Sequence, residues 1–265
     1  MSRTASDGTG APAPDRIRTP APDGARTPVP VRAPAPVPDG ARTPLPGRLI
    51  RTPVDGVHHL AARNEEVLGA LPVAAADRAT AAGLPPWRAA EHLASRTLLR
   101  FLLREIGEDA GDGPLAALPG GRPYLPGRAG PGVSLSHSSG WVAAAVGRGR
   151  DVGVDVQVPA PVGDRLLRLC CAPGDADALA ALPEEARRSG FARIFAVQEA
   201  CVKAVGEGFS GRPWTVPVPL GARTGTWNGV RWSAPYDAPH DDRDGVPVAC
   251  AWTSGPVGAV RRGRA

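Results

Sequence analysis

Residues 191–206 read FARIFAVQEACVKAVG, with apolar side chains at Phe191, Ile194, Phe195, Val202 and Val205 and a glycine at 206. At about 100° per residue these five fall on one side of an α-helix. Gly206, just past the last apolar position, is the residue type that closes a helix in the left-handed conformation. Glu199 and Lys203 lie one turn apart and share a face at the edge of that apolar stripe. Upstream, residues 152–158 read VGVDVQV and alternate strictly. Val152, Val154, Val156 and Val158 point one way along a strand, and Gly153, Asp155 and Gln157 point the other. If that strand packs on that helix, Asp155 and Glu199 bring two carboxylates together with an ammonium beside them.

The lysine itself is informative. The chain holds 31 Lys plus Arg, and Lys203 is its single lysine. An isolated Glu-x-x-x-Lys pair is by default a solvated ion pair worth about 0.2–0.5 kcal/mol. One ammonium kept in a chain otherwise given over to Arg points to a role that guanidinium cannot fill, a compact, rotatable point charge able to release a proton.

With 265 residues the chain can hold one or two domains and bury a substantial core. No apolar run approaches a membrane span, and the opening MSRTASDGTG has no apolar segment of the secretory kind. Cys170, Cys171, Cys201 and Cys250 lack metal-ligand spacing and read as reduced, buried thiols of a cytoplasmic protein. The net charge is +5, but residues 1–56 carry eight Arg against five Asp, so much of the basic character belongs to that segment. An acidic partner fits this balance, and nucleic-acid binding does not follow from it.

Residues 1–56 are dense in Pro, Ala, Thr and Arg and repeat PDGARTP at 22–28 and 38–44. Such a segment buries too little apolar surface to offset its ordering entropy and is expected to be disordered. From Val57 the pattern becomes globular, and a basic tail is expected over 257–265. In the first half, WRAAEHLASRTLLRFLLREI over residues 87–106 has helical periodicity, and VSLSHSSGWVAAAVG reads as two strands joined near residues 138–140. In the second, four Trp scattered among Gly and Pro suggest short strands, and HDDRDG at 240–245 reads as a solvated turn. The run GRGRDVG at 147–153 leads into a strand rather than a helix, so it fails as a dinucleotide loop. No P-loop, nucleophile-elbow or HExxH motif occurs.

GVDVQ at 153–157 and FAVQEACVKAVGEGF at 195–209 resemble the two signature motifs of the 4′-phosphopantetheinyl transferases, G-V/I-D-x-E and W-x-x-K-E-A-x-x-K-A-x-G-x-G. A third block agrees in order: GRPYL at 121–125 followed by VSLSHSSGWVAAAV is similar to the family's G-K-P-x-L and N-L-S-H-S stretch. Together the blocks span residues 57 to about 215, and the subgroup they resemble is the monomeric, surfactin-synthetase-activating type rather than the short trimeric type. The resemblance implies an α+β fold, a pseudo-twofold pair of similar α/β subdomains with the active site between them: a half over 57–150 that binds coenzyme A and a half over 151–256 with the magnesium and catalytic motifs. It implies transfer of the phosphopantetheine arm of coenzyme A to a serine of an acyl or peptidyl carrier protein, in polyketide, nonribosomal-peptide or fatty-acid synthesis. Magnesium is the implied metal and adenosine 3′,5′-bisphosphate the released product.

Residue by residue, the resemblance makes Asp155 and Glu199 metal ligands and Lys203 the contact to the departing phosphate. It makes Glu199, or a water it orients, the acceptor of the serine proton. Ser136 and His137 match the position that meets the 3′-phosphate of coenzyme A. Arg122 stands for the Lys of G-K-P, and Arg96 and Thr97 for residues lining the coenzyme pocket. Gln157 replaces the second acidic residue of the strand motif and would reach the metal through water. Gln198 replaces a Lys and Phe195 a Trp. The charge lost at Gln157 and Gln198 motivates an alternative, a degenerate homologue that binds coenzyme A or a carrier protein without turnover. The chemistry is consistent with the residues alone: a hard divalent cation held by carboxylates neutralises a pyrophosphate as its bridging bond breaks, and a nearby amine stabilises the leaving phosphate.

Overall fold

In the computed structural model, residues 45, 50–118, 120–126, 131–235 and 246–255 are described. The repeat-bearing segment up to residue 44, the turn at 240–245 and the tail at 257–265 lie outside them. Sequence periodicity places the main elements well. The first half runs β1 (Arg51–Val54), β2 (Val57–Arg63), α1 (Asn64–Ala70), α2 (Ala75–Ala81) and α3 (Pro86–Glu105), then a short pair, β3 (Ala116–Ala117) with β4 (Pro123–Tyr124), and finally β5 (Gly132–Ser138) and β6 (Trp141–Gly147). The second half runs β7 (Val152–Val156), α4 (Asp164–Cys170), α5 (Pro173–Ala180), α6 (Glu184–Val205), β8 (Thr224–Trp227), β9 (Val230–Ser233) and β10 (Val248–Thr253). The chain is therefore α+β.

Ordered chain begins before the expected boundary at residue 57. Arg51–Val54 pair with β2 through Arg51↔His59 and Val54↔Val57, and Asp55-Gly56 makes the connecting turn with Gly56 at φ 76. Asp-Gly between apolar residues is a hairpin signal that the Pro/Arg-rich context masks.

Both halves use one order. Two antiparallel sheets run β1-β2-β6-β5 and β7-β10-β9-β8. In each, the strand before the helices pairs with the last strand of the half, which pairs in turn with the next to last. A long helix covers each sheet. Leu98, Leu99, Leu102 and Leu103 of α3 close one core against Val142, Ala144 and Val146 of β6, and Ala196, Val197, Ala200 and Ala204 of α6 close another against Ala249 and Ala251 of β10. Between the sheets lies a third core that includes Val152, Val154 and Val156 of β7 with Trp141, Ala143 and Ala145 of β6. The valines of the alternating strand thus face the other half, and its opposite face meets α6.

A ladder of hydroxyls joins the halves. β5 and β7 are edge strands of their sheets, and an edge leaves every second backbone N–H without a strand partner. Ser134, Ser136 and Ser138, spaced by two along β5, accept from the amides of Val154 (3.0 Å), Val156 (3.4 Å) and Val158 (3.0 Å), spaced by two along β7 and the residues that follow it. Elsewhere, fully buried Arg100 donates to both carboxylate oxygens of Asp77 and to the carbonyls of Ala110 and Gly113. That pair fastens α2 and the 110–113 loop to α3.

Candidate active site

The site begins with a glycine. A Cβ at Gly153 would overlap the carbonyl oxygen of Ala200 and lie 2.6 Å from the amide nitrogen of Ala204. β7 and α6 therefore touch backbone to backbone, a separation that only glycine permits. This close approach sets Asp155, two residues along the same strand face, against the last turns of α6. Helix α6 ends as the sequence predicts. Gly206 adopts φ 76, its amide donates to the Lys203 carbonyl, and that of Glu207 donates to the Val202 carbonyl. The last full turn, which carries Lys203, is fixed by this cap.

Lys203 does not form the i,i+4 ion pair with Glu199. Its Nζ crosses to the strand and donates to Asp155 Oδ1 at 2.6 Å and to the Val154 carbonyl at 3.2 Å. Asp155 Oδ1 also accepts from Ser136 Oγ at 2.6 Å. The other oxygen, Asp155 Oδ2, is buried and has no hydrogen-bond partner, and the same holds for Glu199 Oε1. Glu199 is 6% exposed, deeper than the edge position expected from its helical angle. Burial raises its pKa most. The Lys203 charge opposes that effect, and the Asp155 charge adds to it, so the three groups sense one another.

Two buried carboxylate oxygens without donors, beside one another's charge, suit a hard divalent cation that completes its shell with water and substrate oxygens. Among the described residues no group of three or more His, Cys, Asp or Glu is arranged to hold a metal. Gln157 lies just past the end of β7, half-buried, with its amide donating to the Pro247 carbonyl.

The remaining residues implied by the resemblance are spread more widely. His137, at the exposed face of β5, approaches Glu91 of α3, Nδ1 to Oε2 at 3.4 Å. Arg122 pairs with Asp151 at the start of β7, four strand residues or about 13 Å from Asp155. Arg96 is half-buried on α3, its pKa lowered by burial and raised in opposition by Asp77. Thr97 is buried, and its hydroxyl has no partner. Ser136 belongs to the Asp155 group through its side chain. Gln198 is not at the site. Fully buried, it donates through Nε2 to the carbonyls of Cys170 (2.7 Å) and Val216 (3.0 Å) and braces α6 internally. Its Nε2 is thereby committed to backbone partners, while its Oε1 is buried without one. All four cysteines are free thiols, and Cys170, Cys201 and Cys250 are buried.

Residues 151–229 match the 4′-phosphopantetheinyl transferase superfamily (ACPS), a span that contains β7, α6 and all three charged groups of the site. This match over the second half of the chain supports membership of that superfamily and a phosphopantetheine transferase function in general. No curated protein matches the chain. No described helix is long and apolar enough to cross a membrane.

Proposed function

We propose that the chain is a magnesium-dependent holo-carrier-protein synthase of the monomeric, two-half type, with its active site at the seam of a pseudo-twofold pair of subdomains. The repeated strand order supports the paired architecture, and the meeting of Ser136 from one half with Asp155 from the other supports the seam. The observation that carries the proposal is the pair of bare carboxylate oxygens, Asp155 Oδ2 and Glu199 Oε1, with Lys203 Nζ 2.6 Å from the same aspartate.

In the reaction proposed, a carrier-protein serine Oγ forms a bond to the phosphorus bearing the pantetheine arm. The bond from that phosphorus to the bridging oxygen breaks, and adenosine 3′,5′-bisphosphate leaves with the bridging oxygen as part of its phosphate. A magnesium ion bound by Asp155 and Glu199 supplies charge neutralisation at the pyrophosphate. Lys203, held by Asp155 and the Val154 carbonyl, keeps an ammonium at the strand end, where the leaving phosphate gains charge. Glu199, its basicity raised by burial, is suited to take the serine proton directly or through a water. Arg96, Thr97, Arg122 and His137 are assigned to coenzyme A. For Arg122 this requires exchanging Asp151 for a phosphate, a swap of one anionic partner for another. The partners are acyl or peptidyl carrier proteins. A non-catalytic binder loses half of its motivation, because Gln198 is a core brace.

The test is direct: incubate the protein with coenzyme A, Mg2+ and apo carrier proteins of the fatty-acid, polyketide and nonribosomal-peptide kinds, then weigh each carrier. A gain equal to the phosphopantetheine group is expected with at least one. Unmodified carriers throughout, with coenzyme A still bound, would establish the non-catalytic reading.

A further inference from the structure

We infer that Ser136 is a positioning residue for Asp155, aiming that carboxylate's free oxygen at the cation site, and that it is set apart in this from the two serines flanking it in the ladder. The inference rests on the metal reading above. Its basis is an asymmetry within a regular feature. Ser134, Ser136 and Ser138 each accept one hydrogen bond from a backbone amide of residues 154–158, so all three have the same structural duty at the seam. Only Ser136 uses its proton on a carboxylate, donating to Asp155 Oδ1 at 2.6 Å. Its bond from the Val156 amide is the longest of the three, 3.4 Å against 3.0 Å for each neighbour. The hydroxyl is drawn toward the charge.

The consequence for Asp155 follows from counting its oxygens. Oδ1 receives two donors, Ser136 Oγ and Lys203 Nζ, both at 2.6 Å, while Oδ2 receives none. Two donors from opposite halves fix the carboxylate plane, so that Oδ2 alone is left for a further ligand. Without the hydroxyl, Asp155 keeps one anchor on a long, flexible lysine and can turn about its side-chain bonds. Removing the hydrogen-bond partner of a ligand in this way typically costs about 10–100-fold in metal affinity. The same geometry gives the Ser136 side chain an assignment other than the 3′-phosphate of coenzyme A.

The flanking serines supply the controls. Ser134→Ala and Ser138→Ala each delete one seam hydrogen bond and Ser136→Ala deletes two, so all three should lower Tm, Ser136→Ala the most. Binding of Mg2+, and of Mn2+ followed by its electron paramagnetic resonance signal, is then measured in the full chain with coenzyme A present. Ser136→Ala is expected to weaken binding at least tenfold, with Ser134→Ala and Ser138→Ala within about twofold of wild type. Ser136→Thr, which keeps the hydroxyl, should recover most of the loss. Should Ser136→Ala fold poorly, a second comparison decides. Asp155→Asn and Ser136→Cys, whose thiol is a poor donor, alone and combined, should be non-additive in Tm, whereas Asp155→Asn with Ser134→Cys should be additive. Equal metal affinity in Ser136→Ala and Ser134→Ala, or additivity in both pairs, overturns the inference while leaving carrier modification intact. Conversely, a selective loss of metal in a protein that modifies no carrier would sustain Ser136 and sink the transferase.

Discussion

Gly153→Ala should damage the site from beneath. The added methyl carbon would lie 2.6 Å from the Ala204 amide nitrogen and closer still to the Ala200 carbonyl oxygen. Ordinary contact is about 3.5 Å, so strand and helix must part by about 1 Å or more. Both obstacles are helix backbone, so no side-chain rotation relieves them. Overpacking of this kind costs about 1–3 kcal/mol, and each kcal/mol lowers Tm by about 2–4 °C in a domain of this size. The greater effect falls on geometry: Lys203 Nζ and Asp155 Oδ1, now 2.6 Å apart, would separate to about 3.6 Å, beyond hydrogen-bond range. A displacement of about 1 Å can cost about 100-fold in rate, so carrier modification timed by mass spectrometry should fall by about that factor. Gly174→Ala in α5, where a Cβ meets nothing within 4 Å, is the control and should leave both Tm and rate near wild type. If Gly153→Ala modifies carrier at wild-type rate with unchanged Tm, β7 and α6 are not in backbone contact and the site is built differently.

Three further outcomes are expected. Burial raises the Glu199 pKa, so stability falls as pH rises from the unfolded value near 4.5 through the folded value and stays lower above it. Glu199→Gln should therefore melt higher than wild type at pH 7.5 in EDTA, converge with it near pH 4, and transfer nothing; an equal or lower Tm at pH 7.5 would contradict the burial argument. Lys203→Arg should lower kcat at least tenfold while coenzyme A affinity, read by calorimetry, stays within about twofold, because a guanidinium cannot occupy the ammonium's place between Asp155 and the Val154 carbonyl. His59 of β2 is 2% exposed, and burial, then the charge of Arg51, push its pKa down to about 3. Below pH 6.5 the unfolded chain takes up a proton that the folded chain refuses, so urea unfolding should show wild type losing about 1.4 kcal/mol per pH unit more than His59→Gln between pH 5.5 and 4; parallel pH dependences would show that His59 protonates in place.

The helix and strand that carry the site were legible because their periodicities are long and clean. VGVDVQV could alternate only as a strand with its valines inside, and Gly206 could only end α6. The convergence of Asp155 with Glu199 required tertiary packing, and its one local sign, the glycine two residues before Asp155, also fits an ordinary weak strand position. In the sequence Ser136 stands out only through the dipeptide it forms with His137. Its partner across the seam was hidden because hydroxyl-to-edge bonding has no sequence period of its own beyond three serines spaced by two. Gln198 misled for the opposite reason. A motif position invites comparison with a charged residue, whereas a fully buried amide answers to the carbonyls around it. β1 was lost to composition, since four ordered residues beside a long Pro/Arg-rich tract are outweighed by it.

The lone lysine has a practical corollary. Its ammonium is one-quarter exposed and bound to Asp155, and no other side-chain amine exists in the sequence. An amine-acylating reagent therefore has a single side-chain target, and the extent of labelling titrates that one position without a background of surface lysines. Capping the nitrogen removes its charge, and the unreacted fraction can be counted from the mass of the peptide that carries Lys203, apart from any reaction at the α-amino group.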